Sequence, residues 1–327
     1  MKEKKRNPKR IIISLLCIAL SLAIVITVVG ANVLYIFALK PGGMMRFIDP
    51  QTVMSREAAT NAASESSVFM QKDTYNWIEQ SSEDVYLTSF DGLKLHALEV
   101  KTAEESHDYA LFCHGYTANA QSMAFFASHF YEKGYNVLLP DMRGHGESEG
   151  DYIGMGWFDR LDVLDWIDYI VEKDNAARII LHGISMGGAT VMMVSGEELP
   201  DNVKLVIEDC GYSSVWDEFS FQMGSLFHLP DFPLLNAAEL VCKIRAGYGF
   251  REASAVEQVK KCKLPTLFIH GDEDNFVPFA MLDKVYDAAT CEKEKLVVQG
   301  ASHGMACSTD TELYWKTVDA FTDKYMK

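Results

Sequence analysis

No CxxC pair and no Cys/His spacing of the zinc type occurs in this chain, although seven of its 327 residues are cysteine. Neither a zinc module nor a dithiol motif therefore organises it. Cys17 lies in an apolar run. Cys113 and Cys210 end predicted strands and read as buried thiols. Cys242, Cys262, Cys291 and Cys307 have no spacing that is diagnostic of pairing. Internal repeats and long low-complexity segments are absent too. Positive charge is scarce beyond the first ten residues. Those ten hold six basic residues and one acidic, which leaves 24 Lys and Arg against 45 Asp and Glu for the rest. An acidic body disfavours nucleic acid and anionic polymers as partners.

Charge is missing altogether from Ile11 to Leu39, a run of 29 residues. About 20 apolar residues cross a bilayer core as a helix. The apolar core of a signal peptide is shorter, roughly 7–15 residues, and ends at a small-residue cleavage site that Ala31-Asn32-Val33 does not resemble. The run reads as an uncleaved anchor. The basic flank before it predicts a cytoplasmic N-terminus and an extracytoplasmic body at the plasma membrane. Pro41-Gly42-Gly43 ends the helix. Residues 51–80 are polar and Ser/Ala-rich. They read as a linker and then a helix lying on the body, with Val68, Phe69, Trp77 and Ile78 as docking points.

From Asp84 the pattern is regular. Val85–Phe90 and Leu93–Val100 alternate around Asp91-Gly92, a hairpin signal. Strands are then predicted at 109–113, 136–140, 179–182, 203–208, 266–270 and 295–298. Helices are predicted at 122–133, near 279–289 and at 311–325. Trp157, Leu161, Leu164, Ile167 and Val171 form a helical stripe. Such alternation means a mostly parallel sheet covered on both faces, with its active site at the carboxyl ends of the strands. The rhythm breaks once. Tyr212 to Lys261 contains no convincing strand but many aromatics, among them Trp216, Phe219, Phe221 and Phe227. It reads as a small helical cap whose aromatics line an apolar substrate pocket.

The centre of the pattern is Arg178 to Ser195. A strand runs into Gly183-Ile184-Ser185-Met186-Gly187, and a helix follows. The sharp turn projects Ser185 clear of the sheet, and its glycines are needed because side chains there would collide with neighbouring backbone. A serine hydroxyl needs a base. His303, in Gly300-Ala301-Ser302-His303-Gly304, follows the last strand and stands at the required edge. His182 reads as packed under the turn, and His270 as fixing a loop. The imidazole needs a carboxylate. The loop 271–278 offers Asp274; Asp209, at the end of the preceding strand, is the alternative. Two backbone N–H groups for an oxyanion are expected from Met186 and from Tyr116, in the loop Cys113-His114-Gly115-Tyr116-Thr117.

With these motifs assembled, the chain from 84 to 327 resembles an α/β hydrolase. Ser185, Asp274 and His303 follow that family's chain order. Asp141-Met142-Arg143-Gly144-His145-Gly146-Glu147-Ser148 is similar to a loop of the branch holding monoglyceride lipases, proline-iminopeptidase-like enzymes and many bacterial esterases. In that branch the loop is mainly structural. The resemblance implies an eight-stranded sheet with a cap at about 212–261, and hydrolysis through an acyl-enzyme without metal or organic cofactor. Residues 1–40 form the anchor and 41–83 a linker and docking helix. The leading expectation is a carboxylic-ester hydrolase acting on small acyl, aryl or lipid esters. An aminopeptidase acting on short peptides is the second; Asp217, Glu218 or Asp231 would then hold the substrate's amino group. A catalytically silent surface binding protein is the third.

Overall fold

A computed structural model describes residues 8–43 and 65–326. The basic tail through Asn7 and most of the expected linker, residues 44–64, lie outside the described residues, as do the side chains of Val68 and Phe69. Helix α1 (Pro8–Leu39) carries the apolar run, and α2 (Glu65–Ser81) follows. Ile78 is buried, and Trp77 meets Tyr131 of the body with ring centroids 5.2 Å apart.

Eight strands build one sheet: β1 (Glu83–Thr88), β2 (Lys94–Val100), β3 (Asp108–Cys113), β4 (Asn136–Pro140), β5 (Arg178–Ile184), β6 (Val203–Asp209), β7 (Thr266–Gly271) and β8 (Lys293–Val298). Their spatial order is β1-β2-β4-β3-β5-β6-β7-β8. β1 pairs antiparallel with β2, and β2 with β4; every later pair is parallel. The parallel strands are short runs of Val, Ile and Leu because helices cover both faces and leave no solvated side. Successive residues feed opposite cores. Leu111, Leu181, Val206 and Phe268 belong to one, and Phe112, Ile180, Ile207 and Leu267 to the other.

The covering helices are α3 (Ala124–Glu132), α4 (Asp159–Lys173), α5 (Met186–Val194), α6 (Val215–Phe227), α7 (Leu234–Arg245), α8 (Ala255–Val259), α9 (Ala280–Ala288), α10 (Ala306–Thr309) and α11 (Thr311–Tyr325). Helices α6 to α8 occupy the interval between β6 and β7 where the strand rhythm breaks. An isolated bridge from Ser214 to Ser254 pins the two ends of that insertion together.

Helix α4 differs from its apolar stripe. The side it buries carries Asp159, Asp162, Val163, Trp166, Ile167 and Ile170; Leu161, Leu164 and Val171 are only partly covered. The cause is Arg143. Its side chain is 1% exposed and donates from Nε and Nη2 to the two Asp162 oxygens at 2.7 and 2.5 Å, and from Nη1 to Asp91 at 3.0 Å. A buried guanidinium must meet carboxylates, and that demand rotates the helix away from its most apolar face. Burial raises the Asp162 carboxyl to about 7 even with this partner.

Breaking this pair should be costly. Arg143→Met is expected to destabilise the fold by about 3–5 kcal/mol, because it strands a buried carboxylate. Adding Asp162→Leu should recover most of the loss. Urea unfolding of the two variants beside the parent checks both statements.

Candidate active site

β5 ends in the turn that carries Ser185. The serine sits at φ 57°, ψ −117°, a conformation that side chains rarely adopt. Its N–H donates to the Asp209 carbonyl at 2.8 Å, which ties the turn to the end of β6. A side chain at 183 would strike the Gly187 carbonyl, and one at 187 would strike that of Cys113. Two glycines are thus what allow α5 to start so close behind the strand.

Three side chains from three strand ends meet here. Ser185 Oγ lies 2.8 Å from His303 Nε2, and His303 Nδ1 lies 2.7 Å from Asp274 Oδ2. The loops after β7 and β8 are stitched together, since Glu273 N–H donates to the Ala301 carbonyl at 3.1 Å and Gly300 N–H to Asp272 Oδ1 at 2.6 Å. Asp274 Oδ1 accepts from the N–H groups of Phe276 and Val277 at 2.9 and 2.8 Å. His270 Nε2 stands 3.2 Å from Asp274 Oδ2 and 2.9 Å from the Val277 carbonyl, so it braces the acid loop. Burial alone would raise the Asp274 carboxyl. The charge of His303 and the hydrogen bonds from His270 and His303 outweigh it and hold this acid well below the usual range.

Asp209 is placed otherwise. Its Oδ2 accepts from Tyr314 OH at 3.0 Å, and burial pushes its carboxyl up to about 6. Its neighbour Glu208 accepts from Gly211 N–H at 3.0 Å and holds the turn into the helical insertion. His182 is fully buried beside Phe112 and Phe126, with Nε2 3.3 Å from Tyr314 OH.

The loop 114–117 closes on the serine from the other side, since a side chain at Gly115 would lie 3.5 Å from Ser185 Cβ. Its shape is fixed by two buried histidines. His114 Nε2 accepts from Met142 N–H at 3.0 Å, and His145 Nε2 accepts from Thr117 N–H at 3.2 Å. Desolvation keeps both below the ordinary histidine value, hence neutral and able to accept. Asp141 accepts from the N–H groups of Ala120 and Glu147 and from His96, so its own loop is a brace. Met186 opens α5, where its N–H has no intrahelical acceptor.

A cavity of about 40 Å³ fronts Ser185. Tyr116, Met186, Tyr212, Glu218, Phe219 and Phe276 are among its walls, with Ala38 of α1. A second, of about 60 Å³, adjoins it and includes Phe219 and Phe227 with the last turns of α1. Trp216 and Phe221 line neither; Trp216 instead lies under the Arg251 guanidinium, 3.2 Å from its ring centre. Sequence reasoning missed Gln222, offered Glu218 only as a holder of a substrate's amino group, and gave α1 no part in the site. Spacing gave a signal for the first two, because Glu218, Phe219 and Gln222 share one face of a helix.

Among the described residues, Cys210, Asp274 and His303 form a cluster with metal-ligand chemistry, their ligand atoms within 4.8 Å of one another. Burial drives the Cys210 thiol far above its usual value, so it offers a neutral SH rather than a thiolate. The other two already bond each other.

The strand order and the covering helices are those of the α/β-hydrolase fold. A family model described as "alpha/beta hydrolase fold" matches residues 111–230. The chain is 29% identical to the uncharacterised protein YqkD of Bacillus subtilis over 65% of its own length and 70% of that protein. It is 24% identical to a thermostable monoacylglycerol lipase of Bacillus sp. H-257, over 62% and 84%. Among solved structures, a Pyrococcus furiosus esterase superposes with TM-score 0.62 at 22% identity, over 76% of this chain and 92% of that one.

Two buried acids set a pH dependence. Burial raises the Glu218 and Glu208 carboxyls to about 8, against an unfolded value near 4.5. Ionisation therefore favours the unfolded chain. Stability falls as pH rises from about 4.5 and stops falling near 8. Glu218→Gln should flatten part of that decline, read as thermal midpoint against pH for both proteins.

Proposed function

We propose that the protein is a membrane-anchored serine hydrolase of carboxylic esters. The observation that carries this reading is the unbroken chain of hydrogen bonds Ser185–His303–Asp274 at 2.8 and 2.7 Å, with the serine on a strained turn. Ser185 Oγ attacks the ester carbonyl while His303 Nε2 takes its proton. The N–H groups of Met186 and Tyr116 receive the oxyanion. His303 then returns the proton to the leaving alcohol, leaving an acyl-Ser185. Water enters by the reverse sequence, with His303 again as base. Asp274 holds Nδ1 protonated and stabilises the imidazolium between these steps.

The aminopeptidase alternative requires an anion for the substrate's amino group. Asp217 bonds Ser213 and Lys284, and Asp231 bonds Ser220. Glu218 does face the cavity, but burial keeps it protonated near neutrality, so it offers a hydrogen bond rather than a charge. That favours the ester. Helix α1 supports the anchor, since its segment Lys9–Leu39 is long and apolar enough to span a bilayer.

Ser185→Ala should abolish labelling by a fluorophosphonate probe and turnover of p-nitrophenyl esters. Asp274→Asn should lower kcat by about 10⁴-fold, the cost of the wrong imidazole tautomer. Asp209→Asn should cost far less. A near-normal Asp274→Asn beside a dead but folded Asp209→Asn would reverse the assignment. Preference for aminoacyl anilides over esters would instead favour the peptidase. Protease shaving of intact cells should release the catalytic body; protection until lysis would refute the orientation.

A further inference from the structure

Helix α1 has two parts. From Ile11 to Val29 its large apolar side chains are exposed, whereas Ala31, Tyr35 and Leu39 are buried against the body. The exposed stretch rises about 28 Å, close to the roughly 30 Å of a bilayer's hydrocarbon. The packed stretch therefore starts where the membrane would end.

Helix α7 crosses α1 at that level. A side chain at Gly30 would strike Leu234 at the start of α7. At the other end, Arg245 donates to Asn32 Oδ1 at 3.4 Å and lies 4.8 Å from the Tyr35 ring centre. Phe232, Leu240 and Ile244, just before and along α7, are 75%, 58% and 75% exposed. Apolar side chains this open, gathered around an emerging span, mark a surface for lipid.

Past this crossing, α1 continues to the site. Ala38 lines both the cavity at Ser185 and the adjoining apolar one, where Leu34, Phe37, Met223 and Phe227 are further walls. Phe37 and Phe227 meet edge to face with centroids 5.8 Å apart. The helix end is fastened there, since Tyr116 OH donates to the Ala38 carbonyl at 2.5 Å and Ile153 N–H to that of Leu39 at 2.7 Å. From Ala31 to Ala38 the helix climbs about 10 Å.

We infer that the last turns of α1 are a wall of the substrate site, and that the substrate is a lipid ester drawn from the adjoining leaflet. Its hydrocarbon chain lies between α1 and α6, and its ester carbonyl reaches Ser185. The inference rests on the esterase reading and adds to it the substrate class and the route. The second cavity matches a hydrocarbon chain in chemistry, because the surface it exposes is apolar. The same contacts favour a retained anchor over a cleaved signal sequence, because cleavage would remove one side of the pocket.

The test uses the full-length protein reconstituted in phosphatidylcholine vesicles. The readout is the ratio of kcat/KM for p-nitrophenyl decanoate to that for the acetate. Ala38→Trp should lower the ratio about tenfold or more, since each methylene kept out of an apolar pocket forfeits several-fold in affinity. Phe37→Ala should open the seam and shift the optimum toward longer chains. An unchanged chain-length profile in Phe37→Ala would overturn the inference even if Ala38→Trp failed to fold. With monodecanoylglycerol as substrate, turnover should follow its mole fraction in the bilayer; dependence on total concentration alone would overturn access from the leaflet. Failure of the parent protein to hydrolyse any ester would refute the esterase reading itself, and hydrolysis surviving in Ser185→Ala would refute Ser185 as its nucleophile, both independently of the chain-length result.

Discussion

The molecule depends on one steric constraint, the closeness of α5 to the end of β5. Glycines at 183 and 187 are the condition for that approach. Once it is met, Ser185 is held at a positive φ, its N–H is tied to β6, and its hydroxyl stands above the sheet. Such strain costs of order 1–3 kcal/mol and persists only where the surroundings over-determine it. Here they do: strands on both sides of β5 and the wholly buried helix α5 leave the turn no room to relax. The other components come to the serine. β7 and β8 deliver the acid and the imidazole, and β3 delivers the loop at Gly115.

Electrostatics then separates carboxyl groups that look alike in sequence. Glu208, Asp209, Glu218 and Asp274 are all buried near the same strand ends. Three are pushed upward by desolvation, while Asp274 alone is held low, because two imidazoles and two backbone N–H groups face it. An acid that must stay ionised beside a histidine needs such a shell. Asp209 has Tyr314 OH instead, which stabilises a carboxylate less than a charged partner would.

What was legible in the sequence follows from which signals are local. The strands flanking the elbow, the hairpin at 91–92 and the placement of Ser185, His303 and Asp274 at strand ends come from short apolar runs and turn residues. These depend on neighbouring positions. The buried face of α4 was not legible, because Arg143 sits outside the helix it rotates. The role of Glu208 in the turn at Gly211 was hidden for a similar reason, since its side chain reaches forward while Asp209 points to a helix a hundred residues later. Trp216 and Phe221 look like pocket residues by type, but helical geometry turns Glu218, Phe219 and Gln222 to the cavity instead.

The same limit applies most strongly to α1. Hydropathy treats its run from Ile11 to Leu39 as uniform, because leucine and phenylalanine satisfy lipid and protein core equally well. Only tertiary contacts divide it. Lipid would be the natural surrounding of the exposed turns, while Leu34, Phe37 and Ala38 find theirs in α6 and α7. A tether needs no such contacts, since a flexible linker after the span would hold a body to the membrane as well. Instead the helix enters the body and is fastened at its last carbonyls by Tyr116 and Ile153. Tyr116 is also a wall of the cavity at Ser185. One residue thus joins the end of α1 to the loop beside Ser185, so on the proposed anchoring the membrane and the proposed nucleophile would be held in register by the same short stretch of chain.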